Sequence, residues 1–255
     1  MRINVNEQFP HLPHAPIAEA VIEIRARAEP PWSEQAVSEW LKPKLPEYPQ
    51  VASQNEFQQE VRFGLGHQPE AKQHDLGWKG LRFQSADAGH IAQFNRDGFL
   101  FSRLPPYQNW EQLRDEGMRL WNIYAELARP TEAQRLGLRF INRFVLPVQE
   151  MRFEDYIQPH AVPPRDLDLP FLGFFHHETL IVPGSPYAIN VTRTIQLPQD
   201  PRSQGLAIIL DIDVFTLQPF ELRQGLLATR LAEMRWLKNK VFFGSVTQKA
   251  LESFR

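Results

Sequence analysis

The chain has no cysteine in 255 residues. That removes disulfides and thiolate-held metals from consideration and fits a cytoplasmic setting. It has no run approaching the ~18–20 consecutive apolar residues that a membrane-spanning helix needs, so no transmembrane segment is expected. A basic-then-apolar leader is missing from its start. Charge of one sign is missing too: 28 Lys and Arg face 30 Asp and Glu, for a net charge of −2. Nucleic-acid binding draws mainly on phosphate neutralisation, so this balance does not favour it and leaves room only for a local basic patch. Familiar chemistry is also absent. There is no Gly-x-x-x-x-Gly-Lys loop for phosphates, and Gly64-Leu-Gly66 lacks a third glycine and opens no helix. No Gly-x-Ser-x-Gly elbow occurs. His176-His177-Glu178 carries the His-x-Glu of zinc deaminases without the cysteines that complete that site.

What the chain does have is alternation, in two rounds. Ala20, Ile22, Ile24 and Ala26 alternate with Val21, Glu23, Arg25 and Arg27, the period-two signal of a half-buried strand. A short helix is expected over 33–42, capped by Ser33 and ended by Pro43 and Pro46. Three strands follow, near 55–65, 78–85 and 90–103, with Asp97-Gly98 marking a bulge or tight turn in the third. Asn109 caps a long helix to about 127 whose stripe is Trp110, Leu113, Leu120, Trp121, Tyr124 and Leu127. The second round opens at Leu136 with a strand to 146. A short helical piece at 153–157, strands at 171–182, 187–197 and 206–215, and a long helix from Pro219 to about 243 follow. That last helix turns Phe220, Leu227, Leu231, Met234, Leu237 and Val241 inward. Ser245 with Gln248 reads as a capping box for a last helix to 254. The 22 prolines fall mostly at element ends, and the stretches 66–76 and 158–170 look most like loops.

The expected fold is therefore α+β, with two tandem β-α-β-β-β-α pseudo-repeats at 1–130 and 131–255. Together they form a curved antiparallel sheet with long helices on one face, plus a C-terminal helix. This order is similar to TATA-binding-protein-like and helix-grip folds, a likeness of architecture that does not carry function with it.

Charged residues on the expected sheet supply the candidate site. Arg135, Arg139 and Arg143 recur every fourth residue, which in a strand places them on one face, and Arg25 and Arg27 lie in the matching strand of the first round. Asp211 and Asp213 share a face ~7 Å apart. They could hold Mg²⁺ or Mn²⁺ with Glu23 or Glu178 as a third ligand, or pair across the sheet with Arg139, Arg143 or Arg193. Cross-strand pairing is the simpler expectation. Phe171, Phe174 and Phe175, with Trp78 and Phe83, allow an apolar cavity between sheet and helices.

Four motifs resemble a sporadically distributed bacterial family of uncharacterised proteins of similar length: His14-Ala-Pro-Ile-Ala-Glu-Ala-Val-Ile-Glu-Ile24, Phe101-Ser-Arg-Leu-Pro-Pro-Tyr107 with Trp110, Leu136-Gly-Leu-Arg-Phe-Ile-Asn-Arg143, and Lys240-Val-Phe-Phe243 with Thr247. The resemblance implies no catalytic residues. The family's patchy distribution implies an accessory gene, with a role in anti-phage defence. The expectation is a non-enzymatic sensor or adaptor without cofactor. It would bind a small molecule, a lipid or a protein partner through the sheet or a cavity, with homo-oligomerisation left open. Its binding residues would be drawn from Arg25, Arg139, Arg143, Arg193, Asp211 and Asp213. The alternatives are a metal-dependent nucleotide-processing enzyme using Asp211 and Asp213, and a nucleic-acid binder using the arginine-bearing face.

Overall fold

The computed structural model describes residues 1–29, 32–62, 70–146, 152–159, 173–196 and 206–255. Its elements run β1 (Ile17–Arg25), α1 (Glu34–Leu41), β2 (Gln50–Arg62), β3 (Glu70–Gln84), β4 (His90–Asn95), β5 (Gly98–Arg103), α2 (Trp110–Ala128), β6 (Glu132–Ala133), β7 (Arg135–Leu146), β8 (Phe175–Ile181), β9 (Tyr187–Gln196), β10 (Leu206–Thr216), β11 (Phe220–Glu221), α3 (Leu226–Ser245) and α4 (Gln248–Glu252). Nine strands form one sheet in the order β2-β3-β4-β5-β1-β7-β10-β9-β8, and β6 pairs separately with β11. The protein is α+β, a large antiparallel sheet with few helices and a short helix at its C-terminal end. No helix among the described residues is long and apolar enough to cross a membrane.

The alternation in the sequence sets which face is which. At the centre, β1 and β7 run antiparallel with Ile22 opposite Leu138 and Ala20 opposite Phe140. β10 lies beyond β7 with Ile212 opposite Phe140. Side chains two apart share a face, so Ala20, Ile22, Ile24, Leu136, Leu138, Phe140, Leu210, Ile212 and Val214 form one apolar surface, and all are buried. Each of the Ile, Leu, Val and Phe side chains among them contributes about 1.5–3 kcal/mol by leaving water. A slip of one residue would turn the whole set outward, which fixes the register.

Both long helices cover that same face. α2 approaches closely because Gly117 has no side chain: a Cβ there would stand 2.8 Å from Ile22 and 3.2 Å from Phe101. The Asn109 side chain caps α2 by accepting from the Gln112 amide at 2.8 Å. Its Tyr124 hydroxyl reaches the Ala26 carbonyl at 2.7 Å and that of Asn95 at 3.1 Å, tying the helix to β1 and β4. α3 lies over β7 and β10, with Lys238 above the Phe140 ring.

Several boundaries differ from the sequence expectation, each for a local reason. Asp97-Gly98 is a full turn, so 90–103 is the hairpin β4–β5 and four strands, not three, follow α1. Residues 70–76, expected as loop, belong to β3 and pair with β2. α1 itself ends at Leu41, ahead of Pro43 as expected, and Pro43 sits at the start of a 3-10 turn, Lys42–Lys44, where its missing N–H costs nothing. A 3-10 turn at Phe153–Asp155 stands where the second round's short helix was expected. Pro219 does not open α3: Phe220 and Glu221 pair with Ala133 and Glu132, and Gly225 at φ +77° makes the turn from which the helix starts. α4 is capped by Thr247, whose side chain accepts from the Ala250 amide, and not by Ser245, the last residue of α3. The expected loop 160–170 and the start of a strand at Phe171 lie outside the described residues.

Candidate functional site

Five of the six sequence-selected charged residues meet on the uncovered face of the sheet. Arg139 holds Asp211 with two parallel bonds, Nε to Oδ1 at 2.8 Å and Nη2 to Oδ2 at 2.5 Å. Arg135 bridges two acids, donating from Nη2 to Asp213 at 2.6 Å and from Nη1 to Glu23. Arg25 donates to the other oxygen of Glu23 at 2.9 Å, and Arg143 to the side-chain carbonyl of Gln196 at 2.9 Å. Burial holds the Asp213 carboxyl above its ordinary range, outweighing the opposite pull of Arg135. Arg193 is separated from this array by the sheet itself. It is buried on the helix side, where it donates to Glu178 at 2.6 Å and to the Ser245 hydroxyl at 3.2 Å.

The cross-strand register explains this arrangement. Asp213 lies opposite Arg139, and Asp211 opposite Ile141. Asp211 takes Arg139, the guanidinium diagonal to it, as oppositely charged cross-strand neighbours do, whereas Asp213 takes Arg135, four residues along β7 from its opposite number, whose guanidinium lies over the side-chain-free Gly137. Of the two acids considered as a third metal ligand, Glu178 lies on the opposite face and Glu23 is held by two arginines. Among the described residues, no group of three or more His, Asp or Glu side chains could hold a metal. His177 faces the uncovered side, its ring bonded to the Thr192 hydroxyl at 2.8 Å.

A cavity of about 280 Å³ lies on the other side, between β7, the start of α2, α3 and the N-terminal segment. It is not the cavity expected near Trp78 and Phe83, since Phe83 is fully packed in the core. Its floor is Phe140, against which Tyr107 packs edge-on at 5.8 Å. Its cover is the segment preceding β1. Glu7 accepts from Trp236 Nε1 at 2.7 Å and from Lys240 Nζ at 3.0 Å, and Phe9 stacks on Phe243 at 5.5 Å. The bonds from Lys240 and Trp236 hold the Glu7 carboxyl below its usual range.

Lys238 projects into this space with its Nζ 4.1 Å from the centre of the Phe140 ring. Among the described residues it has no hydrogen-bond or ion-pair partner. Two acids line the cavity, and each is engaged by another cation: Glu7 by Lys240, and Glu111 by Arg235 at 3.6 Å. Burial, helped by the nearby Arg235 charge, pushes the Lys238 ammonium down from 10.5 to about 7. Burial also pushes the Tyr107 phenol up, so its hydroxyl keeps its proton and stays a donor. Compared with protein-family models and with curated proteins, the chain gives no match to either.

Sequence reading missed Lys238, although a signal was present. At 100° per residue, Lys238 follows Leu231 by two turns and Met234 by one. It thus occupies the middle of the apolar stripe of α3, where a lysine is out of place unless something is meant to meet it.

Proposed function

We propose that this is a non-enzymatic binding protein, a sensor or adaptor, that takes a small molecule into the cavity beneath its N-terminal segment. One observation carries the reading: a cavity lined in part by aromatic side chains holds a partly buried cation, while its lining acids are already committed to other cations. Ligand pockets typically combine an apolar wall with one or two convergent polar groups, at volumes from roughly 300 Å³ upward. The uncovered sheet face offers less. Arg25, Arg135 and Arg139 are taken by Glu23, Asp213 and Asp211, so a phosphate backbone would have to displace bonds already made. The same pairing argues against a metal-dependent nucleotide-processing site at Asp211 and Asp213.

The halves are two pseudo-repeats joined at β1 and β7. In sheet order, each central strand is flanked by the last strand of its own half, β5 or β10. Among the described residues, the first half supplies five strands of the nine-stranded sheet and the second four. Cytoplasmic location and an accessory role in bacterial anti-phage defence rest on the family resemblance and on composition.

The test is native mass spectrometry of the purified protein beside the same sample denatured. Wild type is expected to retain a small-molecule mass in the native spectrum alone, and Ala232→Trp, which fills the cavity from α3, is expected to lose it. A retained mass that persists in Ala232→Trp would place the ligand elsewhere, and a bare wild-type mass would count against a tightly held ligand.

A further inference from the structure

We propose that the ligand of this cavity is a small aromatic acid, its ring among the aromatic side chains that line the space and its anionic group on Lys238 with the Tyr107 hydroxyl as second donor. The inference rests on the cavity reading above and adds the chemistry of the ligand.

Three features converge on it. The first is charge. Glu7 answers Lys240 and Glu111 answers Arg235, so among the described residues Lys238 is left without an anion in this space. A buried charge is costly until it is paired, and an incoming carboxylate or phosphate would supply the pair. The second is donors. Both Lys238 and Tyr107 can donate, and no acceptor meets either among the described residues. A ligand that itself only donates would leave them unsatisfied. The third is shape. Phe140 and Tyr107 form a right-angled aromatic corner, with an interplanar angle of 76°. Trp110 and Trp236 lie on the same wall. Phe140 is packed away behind Lys238, so the half-buried Tyr107 is the ring of this pair that a flat ligand can stack on or meet edge-on, and an aliphatic chain would gain only area. At about 280 Å³ the space suits one or two fused rings with a single head group. Carboxylate and phosphate share the required charge, and the probes below separate them.

The experiment uses the full-length protein and isothermal titration calorimetry with three probes that share a ring system: 1-naphthoate, 1-naphthyl phosphate and the neutral 1-naphthamide. At least one anion is expected to bind wild type roughly ten- to a hundredfold more tightly than the amide, the span of a charge-assisted bond pair. The tighter of the two identifies the head group. Lys238→Met keeps the length and apolar contact of the side chain. It is expected to abolish that preference while leaving the amide's affinity within about twofold. Tyr107→Phe is expected to reduce the preference in part. Equal affinities for anion and amide, or a preference that survives in Lys238→Met, would overturn the anionic assignment while leaving the cavity reading intact. If Ala232→Trp leaves every probe's affinity unchanged, or if no probe binds, the cavity reading fails with it. Circular dichroism melting of each variant separates lost binding from lost folding.

Discussion

Replacing Lys238 with methionine should make this protein more stable, and by an amount that depends on pH in a defined direction. The ammonium sits against Phe140 without an acid, and burial has brought it from 10.5 to about 7. A base whose folded value is depressed disfavours the folded state while it is charged. The penalty is complete below pH 7, declines between pH 7 and 10.5 as only the unfolded chain stays protonated, and is gone above 10.5. Each pH unit across that interval is about 1.4 kcal/mol, which sets a ceiling of roughly 5 kcal/mol. Lys238 is only partly buried, and water reaching its Nζ lowers the penalty, so a gain of about 1–3 kcal/mol is expected at pH 6. The other titratable groups lining the cavity are Glu7 and His11 from the N-terminal segment, Tyr107 and Glu111 at the start of α2, and Arg235 on α3. β7 contributes Phe140 and Asn142, which do not titrate. Met keeps the stem's packing and adds a favourable contact between sulfur and ring, so a loss of packing should not mask the effect. Urea denaturation of both proteins at pH 6, 8 and 10 would show the midpoint difference shrinking as pH rises. A difference that is absent at pH 6, or that grows toward pH 10, would refute the claim that Lys238 is an unpaired, desolvated cation.

Three further outcomes are expected. Arg135→Met leaves Glu23 and Asp213 facing each other without their shared cation. It should cost about 2–4 kcal/mol at pH 7 by urea denaturation, and less at acid pH, because burial already holds the Asp213 carboxyl above its ordinary range and a protonated Asp213 needs no cation. A cost below about 0.5 kcal/mol would mean the triad is a surface ornament of the kind that contributes nothing measurable. Millimolar Mn²⁺ should leave the melting temperature unchanged, because Arg139 and Arg135 already hold Asp211 and Asp213. A Mn²⁺-induced rise that Asp211→Asn removes would restore the metal-site reading. Tyr124→Phe removes the buried hydroxyl that ties α2 to Ala26 and Asn95. It should cost about 1–2 kcal/mol in thermal or urea unfolding, and an unchanged midpoint would mean that this tie contributes nothing.

Strand identity and facing were legible because period two is a local property. Val21, Glu23 and Arg25 could be assigned outward and Ile22 and Ile24 inward without knowing what they would pack against. The same logic anticipated that Asp211 and Asp213 would share a face and pair with arginines. It did not select Arg135 for Asp213, since that choice depends on the stagger between β7 and β10. Arg193 was misplaced for a related reason. Its register partner in β10 is Leu210, a helix-side residue, and only the β9–β10 pairing reveals that. The start of α3 was misjudged because Phe220 continues the helical spacing of the stripe. Its backbone nonetheless finds Ala133, a partner 87 residues earlier in the chain, and a long-range pair overrides local periodicity. The cavity was the least legible feature. Its walls come from the N-terminal segment, the residues leading into α2, the middle of β7 and the stretch of α3 from Ala232 to Phe243. No window of sequence contains two of these.

The sheet divides the protein into two electrostatic regimes that the overall charge of −2 conceals. On the uncovered face every guanidinium of the central array has an acid or amide within hydrogen-bond reach, so the array is satisfied as it stands. Adding a charged ligand there would exchange one set of bonds for another at little net gain. Beneath the N-terminal segment Lys238 has no acid partner among the described residues, and under the proposed reading the folded state would carry that cost until an anion binds. The interaction that makes the empty protein less stable than its methionine variant is the one that would give a ligand its differential affinity for the folded state. Stability and binding are thus opposed at one side chain. An unpaired lysine in the middle of an otherwise apolar helix stripe is what such a trade looks like in sequence, which is why Lys238 weighs more in assigning function than the more conspicuous arginines and aspartates across the sheet.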